Sequence, residues 1–171
     1  TIVPYLALPE MTCTSHDMKS AMNSSMGRPH GSTKGPWVHM TCLITYFNDS
    51  KATNVEAVKV ALNSFEKTIY LILGGKDKGG EFSILLPHIK NKVKRVIAYG
   101  DAANIIKTAL GDAVKLKIVF SLKDAVKTCH THAQPGDIVL LSPGCASFDQ
   151  FKNFEERGNL FKSIVNEMAR S

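Results

Sequence analysis

Long apolar runs are missing from this chain of 171 residues. No stretch approaches the ~18 consecutive apolar residues of a membrane-spanning helix. The first twenty residues carry an apolar patch without a basic leader or a small-residue cleavage site, so a soluble, cytoplasmic protein is expected. Cysteine is sparse: Cys13, Cys42, Cys129 and Cys145 are unevenly spaced, with no CxxC pair. At 44% apolar content the chain can build one substantial core without stapling, and the thiols read as free and mostly buried. Cys129, His130 and His132 lie close together, but near the end of a helical pattern adjacent residues point apart and no second ligand pair is visible, which argues against a metal. Neither GxxxxGK[ST] nor GxGxxG occurs, so the usual phosphate-cradling loops are absent.

Charge of one sign is in excess, at +6, yet it is not concentrated. The one dense run, Lys90 to Arg95, joins a helix end to a strand start, where cations suit the helix dipole. No aromatic residues interleave with it as stacking platforms, so nucleic acid is not the expected partner, and an attraction for small anions is the more economical reading.

From about Met40 onward, short apolar runs alternate with amphipathic ones. Cys42–Phe47, Thr68–Gly74, Arg95–Gly100, Lys117–Phe120 and Asp137–Ser142 are almost continuously hydrophobic, as strands of a parallel sheet covered on both faces are. Between them, Thr53 and Glu56 have capping-box spacing, Asp101 can cap the helix that stops at Gly111, and Ser121 with Asp124 can cap the next. A last helix is predicted over 149–169, with Phe151, Phe154, Phe161, Val165 and Met168 on or near its buried stripe. The fold class is α/β: a Rossmann-like, open, mostly parallel sheet with helices on both faces. Residues 1–40, rich in Gly, Ser, Pro and Met, have neither period and are expected to be irregular or poorly ordered, leaving 41–171 as the domain.

In open α/β sheets ligands bind beyond the carboxyl ends of the strands. Three loops there are unusual: "NDSKATN" from Asn48, "GGKDKGGEF" from Gly74 and "SPGCASFDQFKNF" from Ser142. Each leads into a helix N-terminus, whose free N–H groups favour an anion. Lys51, Lys76 and Lys78 add positive charge, and Ser50, Thr53 and Ser147 add donors. Each has a plainer role as well. Thr53 caps a helix, Lys78 can be a solvated turn lysine, and Phe148 and Phe154 read more readily as core aromatics than as ligand walls.

Taken together and in order, "NDSKATN", "LGGKDKGGEFS" and "LLSPGCASFDQFKNFEERGNLF" resemble the C-terminal domain of the Mur ligase family, in its D-glutamate-adding branch, over about residues 46 to 170. The resemblance implies an ATP-dependent ligase of peptidoglycan synthesis that uses Mg2+, phosphorylates the carboxylate of UDP-N-acetylmuramoyl-L-alanine and couples it to D-glutamate. It implies that Thr53, Lys78 and Ser147 hold the D-glutamate carboxylates, with Phe148 and Phe154 beside them. Asp49 and Lys51 would face the nucleotide, the acid toward ribose hydroxyls and the lysine toward phosphate. No catalytic or metal-binding residue is implied, and ATP and the UDP substrate would be held by further domains, so these residues alone are expected to be inactive. Phe148 stands where Leu is common in the family, and Gly31 follows His30 where the family has an arginine, so Arg28 and His30 receive no role. The alternatives to this expectation are a non-catalytic module for a small anion, nucleotide or protein partner, and, least favoured, a nucleic-acid binder.

Overall fold

The computed structural model describes residues 3–5 and 44–170. Strand β1 is Val3–Tyr5 and β2 Thr45–Asn48; helix α1 is Val55–Asn63, followed by β3, Ile69–Gly74. A 3₁₀ turn (Phe82–Leu85) leads into α2 (Leu86–Lys92), then β4 (Val93–Tyr99), α3 (Ala103–Leu110) and β5 (Leu116–Val119). Helix α4 (Leu122–His132), β6 (Ile138–Leu141) and α5 (Phe154–Met168) complete the chain. Among the described residues no helix is long and apolar enough to cross a membrane.

The sheet order is β1-β2-β6-β3-β4-β5. Strands β2 to β6 run parallel, and β1 pairs antiparallel with β2 through Val3–Asn48 and Tyr5–Tyr46. Of the expected irregular segment, residues 3–5 therefore form an edge strand, and the rest lies outside the described residues. Strands β3 and β6 at the centre are buried throughout, as their unbroken apolar runs require. Alternate side chains feed two cores. Leu71 and Leu73 pack with α1, the 3₁₀ turn, α2 and α3, while Tyr70 and Ile72 pack with α4 and α5.

Several local expectations are corrected. Asn54, one residue past Thr53, caps α1: its side-chain oxygen accepts from the Ala57 N–H at 2.9 Å, and Glu56 pairs with Lys59 instead of closing a capping box. Asp101 caps nothing, because α3 begins after Ala102 without a side-chain cap. The last helix starts at Phe154, five residues later than the periodicity predicts, since Asn153 accepts from the Glu156 N–H and Glu156 reaches back to the Lys152 N–H. Strand β5 is not covered on both faces. It lies at the sheet edge with Lys117 and Ile118 exposed, and Phe120 beyond it is 87% exposed. Ser121 does cap α4, accepting from the Asp124 N–H and donating to its carboxylate.

Cys129 is buried in the core, while His130 Nδ1 bonds the Tyr46 hydroxyl at 2.6 Å and His132 Nδ1 meets the Thr128 carbonyl. The three side chains thus serve three separate contacts at the amino ends of the strands.

Candidate functional site

The carboxyl ends of β2, β6, β3 and β4 release four segments that hydrogen-bond to one another. After β2, the Asp49 N–H bonds the Leu141 carbonyl, and the Ala52 carbonyl accepts from Gly144 at 2.9 Å. After β3, Lys76 and Ala146 exchange two backbone bonds of 2.8 and 3.1 Å, an antiparallel bridge outside the main sheet. Gly75 donates to the Tyr99 carbonyl and accepts from Ala102, so the turn after β4 is tied in as well. These contacts need chain without side chains. Gly74 and Gly75 take φ of 136° and 129°, and a Cβ on Gly74 would overlap the Tyr99 carbonyl.

On this frame the predicted residues fall as follows. Thr53 is half-buried at the mouth of α1, and because Asn54 does the capping, its hydroxyl lies outside the helix's own hydrogen bonds. Lys51, Lys76 and Lys78 are exposed on the rim. Lys78 sits in a loop turned by Asp77, whose carboxylate accepts from the Gly80 N–H. Ser147 is 2% exposed, one residue past the bridge that joins its loop to that of Lys78. Phe154 opens α5 half-buried, and Phe148, read more readily as a core aromatic, is 69% exposed instead. The backbone turn at 147–151, in which the Ser147 carbonyl accepts from Gln150 and Phe151, points it outward. Asp49 is nearly buried and accepts from the Ser142 hydroxyl at 2.9 Å. Burial holds its carboxyl above the ordinary range, and the Ser142 bond partly offsets that.

The sequence reading missed two residues. Arg157, in α5, has no exposed surface, although arginine is almost never so placed unless partnered. Its guanidinium donates to Ser50 Oγ (2.9 Å), the Ser50 carbonyl (2.7 Å) and the Cys145 carbonyl (3.1 Å), and Ser50 Oγ donates onward to the Phe154 carbonyl. One side chain from the last helix thus ties the loop after β2 to the loop after β6. The signal was its phase: Arg157 lies three residues after Phe154 and four before Phe161, on the buried stripe. Burial pushes the neighbouring Cys145 thiol up to about 12, so it is an inert wall rather than a nucleophile.

Asp149 is the second. Both carboxylate oxygens are buried without a hydrogen bond of good geometry, over Gly100, where a Cβ would overlap Oδ2. Burial raises its pKa, nearby backbone N–H groups counteract this in part, and the like charge of Asp101 adds to the rise. A carboxyl whose folded pKa is raised binds its proton more readily in the native state, so its contribution to stability grows as pH falls from neutral and is lost as pH rises through the folded value. Asp149→Asn, which removes that titration, is expected to raise the melting temperature at pH 7 relative to the parent chain, with the gap closing toward pH 4 in a calorimetric series. A gap independent of pH would remove Asp149 as the source.

The rim is open and basic, with donors at its base and an apolar edge. A separate groove of about 490 Å³ between β5 and α4, lined by Lys117, Phe120, Lys127 and His132 among others, lies away from these loops. Comparison with known proteins shows the family. Residues 37–145 match the model of the family described as Mur ligase, glutamate ligase domain. This chain belongs to the Mur ligase family. Curated relatives named UDP-N-acetylmuramoylalanine–D-glutamate ligase include those of Chlamydia caviae, 45% identical over 73% of this chain, and of Desulfatibacillum aliphaticivorans, 41% identical over 88%. The relative from Pseudomonas fluorescens is 44% identical over 89%. The Mur ligase chain spans only about a third of their length, 30%, 33% and 34% respectively. Among solved structures, Escherichia coli FolC in complex with ADP, without folate substrate, superposes with a TM-score of 0.50 at 17% identity, covering 73% of this chain and 30% of that one. At that identity it supports the α/β fold alone.

Proposed function

We propose that this Mur ligase domain supplies the amino-acid site of a D-glutamate-adding ligase, within a longer protein whose other domains bind ATP and UDP-N-acetylmuramoyl-L-alanine. The observation that carries the reading is the backbone bridge between Lys76 and Ala146, which sets the Lys78 and Ser147 loops side by side at the strand ends. The relatives' shared name supports the substrate. D-Glutamate brings two carboxylates, and Thr53, Lys78 and Ser147 offer two hydroxyls and a cation at the rim. Phe148 and Phe154 cover the carbon chain between them. Asp49 and Lys51, on the β2 loop, face the nucleotide: the acid accepts from ribose hydroxyls and the lysine meets phosphate.

In this reading, ATP transfers its γ-phosphoryl group to the carboxylate of the nucleotide substrate, giving an acyl phosphate and ADP. The D-glutamate amine attacks the acyl carbon, loses a proton, and the tetrahedral intermediate expels inorganic phosphate as the amide forms. The contribution of this domain is positioning: held carboxylates present the amine to the acyl carbon. Magnesium would accompany ATP, neutralising the charge of its phosphates. The reaction belongs in the cytoplasm, where ATP is made available. An open rim suits a site that another domain completes, and the chain by itself is expected to show no turnover.

The test is a titration of the isotopically labelled chain with D-glutamate and, separately, L-glutamate, repeated in the complete ligase. Amide shifts centred on Thr53, Lys78 and Ser147, larger with the D form, are expected. Shifts centred elsewhere, or none in the complete ligase, overturn the assignment.

A further inference from the structure

Between Ser147 and Phe151 the chain inverts the usual order of burial. Phe148 stands 69% exposed, while both carboxylate oxygens of Asp149, the next residue, are sunk beneath the surface without a well-formed hydrogen bond. Solvation alone dictates the reverse, since a buried carboxylate costs free energy and a buried phenylalanine gains it. The place Asp149 occupies explains the inversion. Its Oδ2 fills the space a side chain would take on Gly100, at φ 71° in the turn after β4. That turn also carries the Tyr99 carbonyl and the Ala102 N–H, both bonded to Gly75 at the start of the Lys78 loop. The Tyr99 hydroxyl, the Cys145 thiol and the Asp101 carboxylate lie near enough to Asp149 to interact with its charge.

We infer that Asp149 is a positioning residue of the proposed D-glutamate site: seated over Gly100, it sets where Ser147 and Phe148 stand relative to Lys78. The inference rests on the function proposed above. Asp149 is the middle residue of the turn closed by the Ser147 carbonyl with Gln150 and Phe151, so its seat fixes the turn's orientation. The same β4 turn then references the Lys78 loop through Gly75 and the Ser147 loop through Asp149. Two loops held to one point keep their spacing, and spacing is what a ligand with two carboxylates reads. The carboxylate oxygens touch no solvent, so Asp149 acts through Ser147 and Phe148 and not on the amino acid itself.

The experiment compares Asp149→Ala and Asp149→Asn with the parent in the complete ligase, measuring KM for D-glutamate, KM for ATP and kcat. Asp149→Ala empties the seat and is expected to raise the D-glutamate KM about tenfold or more, with the ATP KM unchanged. Asp149→Asn keeps the shape and is expected to restore most of the affinity. Amide exchange in the isolated chain gives a readout independent of activity: in Asp149→Ala the Gln150 and Phe151 amides exchange faster while those of α1 do not. If the alanine variant does not fold, Asp149→Ser takes its place. An unchanged D-glutamate KM, equal rises in both KM values, or an Asn variant as impaired as Ala overturns the inference. A parent enzyme that does not use D-glutamate would instead sink the proposed function, and the exchange data would then still decide whether Asp149 seats the turn.

Discussion

Arg157→Ala is expected to cost the domain about 3–5 kcal/mol, because it orphans buried acceptors at ~1–3 kcal/mol each and opens a cavity. The acceptors are the Ser50 carbonyl, Ser50 Oγ and the Cys145 carbonyl, all away from water. Among the described residues no carboxylate forms an ion pair with the guanidinium, so its burial is offset by these three charge-assisted bonds. Arg157→Met fills most of the space but cannot donate, and Arg157→Lys replaces a planar fork with one centre that reaches a single acceptor well. Both should recover only part of the loss. Urea unfolding checks this: a stability for Arg157→Ala within about 0.5 kcal/mol of the parent, the range of an ordinary surface change, would show that the network is not needed. The loop after β2 should loosen with it, because Ser50 loses two of its four hydrogen bonds through this side chain.

Lys78→Ala is the opposite kind of change. Lys78 is exposed, so the melting temperature should stay within a degree or two, whereas the D-glutamate KM of the complete ligase is expected to rise about 10- to 100-fold, as losing a charge-assisted bond of ~1.5–3 kcal/mol requires. The kcat measured at saturating D-glutamate should change much less, since in the proposed site the lysine holds the ligand before and during attack alike. Lys78→Arg should rescue only in part, because a guanidinium placed on the same loop sits farther out. On the open rim the attraction is screened by salt, so the effect of the substitution should be read at fixed ionic strength. An unchanged D-glutamate KM removes Lys78 from the site.

The two substitutions separate the roles that one motif combines. "SPGCASFDQFKNFEERG" contains groups proposed to meet the ligand, the buried Ser147 and the exposed Phe148, and groups that hold the loops in place, Asp149 and Arg157. Type alone does not divide them, since the acid and the arginine lie inside and one phenylalanine outside.

Strand positions were legible because burial on both faces of β3 and β6 leaves only apolar residues there, and a helix between each pair of strands implies a parallel sheet. The three loops were legible for a related reason: glycines, lysines and hydroxyls at strand ends have little use in a core. Helix starts were less so. Thr53 and Asn54 are both good caps, and which one serves depends on where the chain leaves the β2 loop, pinned by Gly144 bonding the Ala52 carbonyl from a segment some ninety residues away. The start of α5 was misplaced because Phe151 continues the apolar stripe back toward Asp149, and only the cap at Asn153 and the seat of Asp149 over Gly100 show that the helix begins later. By itself the sequence determined the α/β class, the central strands and the three loops at the carboxyl ends of the strands, since these follow from local patterns of apolarity and turn chemistry. The tertiary structure decided the edge strands, the true caps, the burial of Arg157 and Asp149 and the outward Phe148, because each depends on contacts between segments far apart in the chain, which no local pattern encodes.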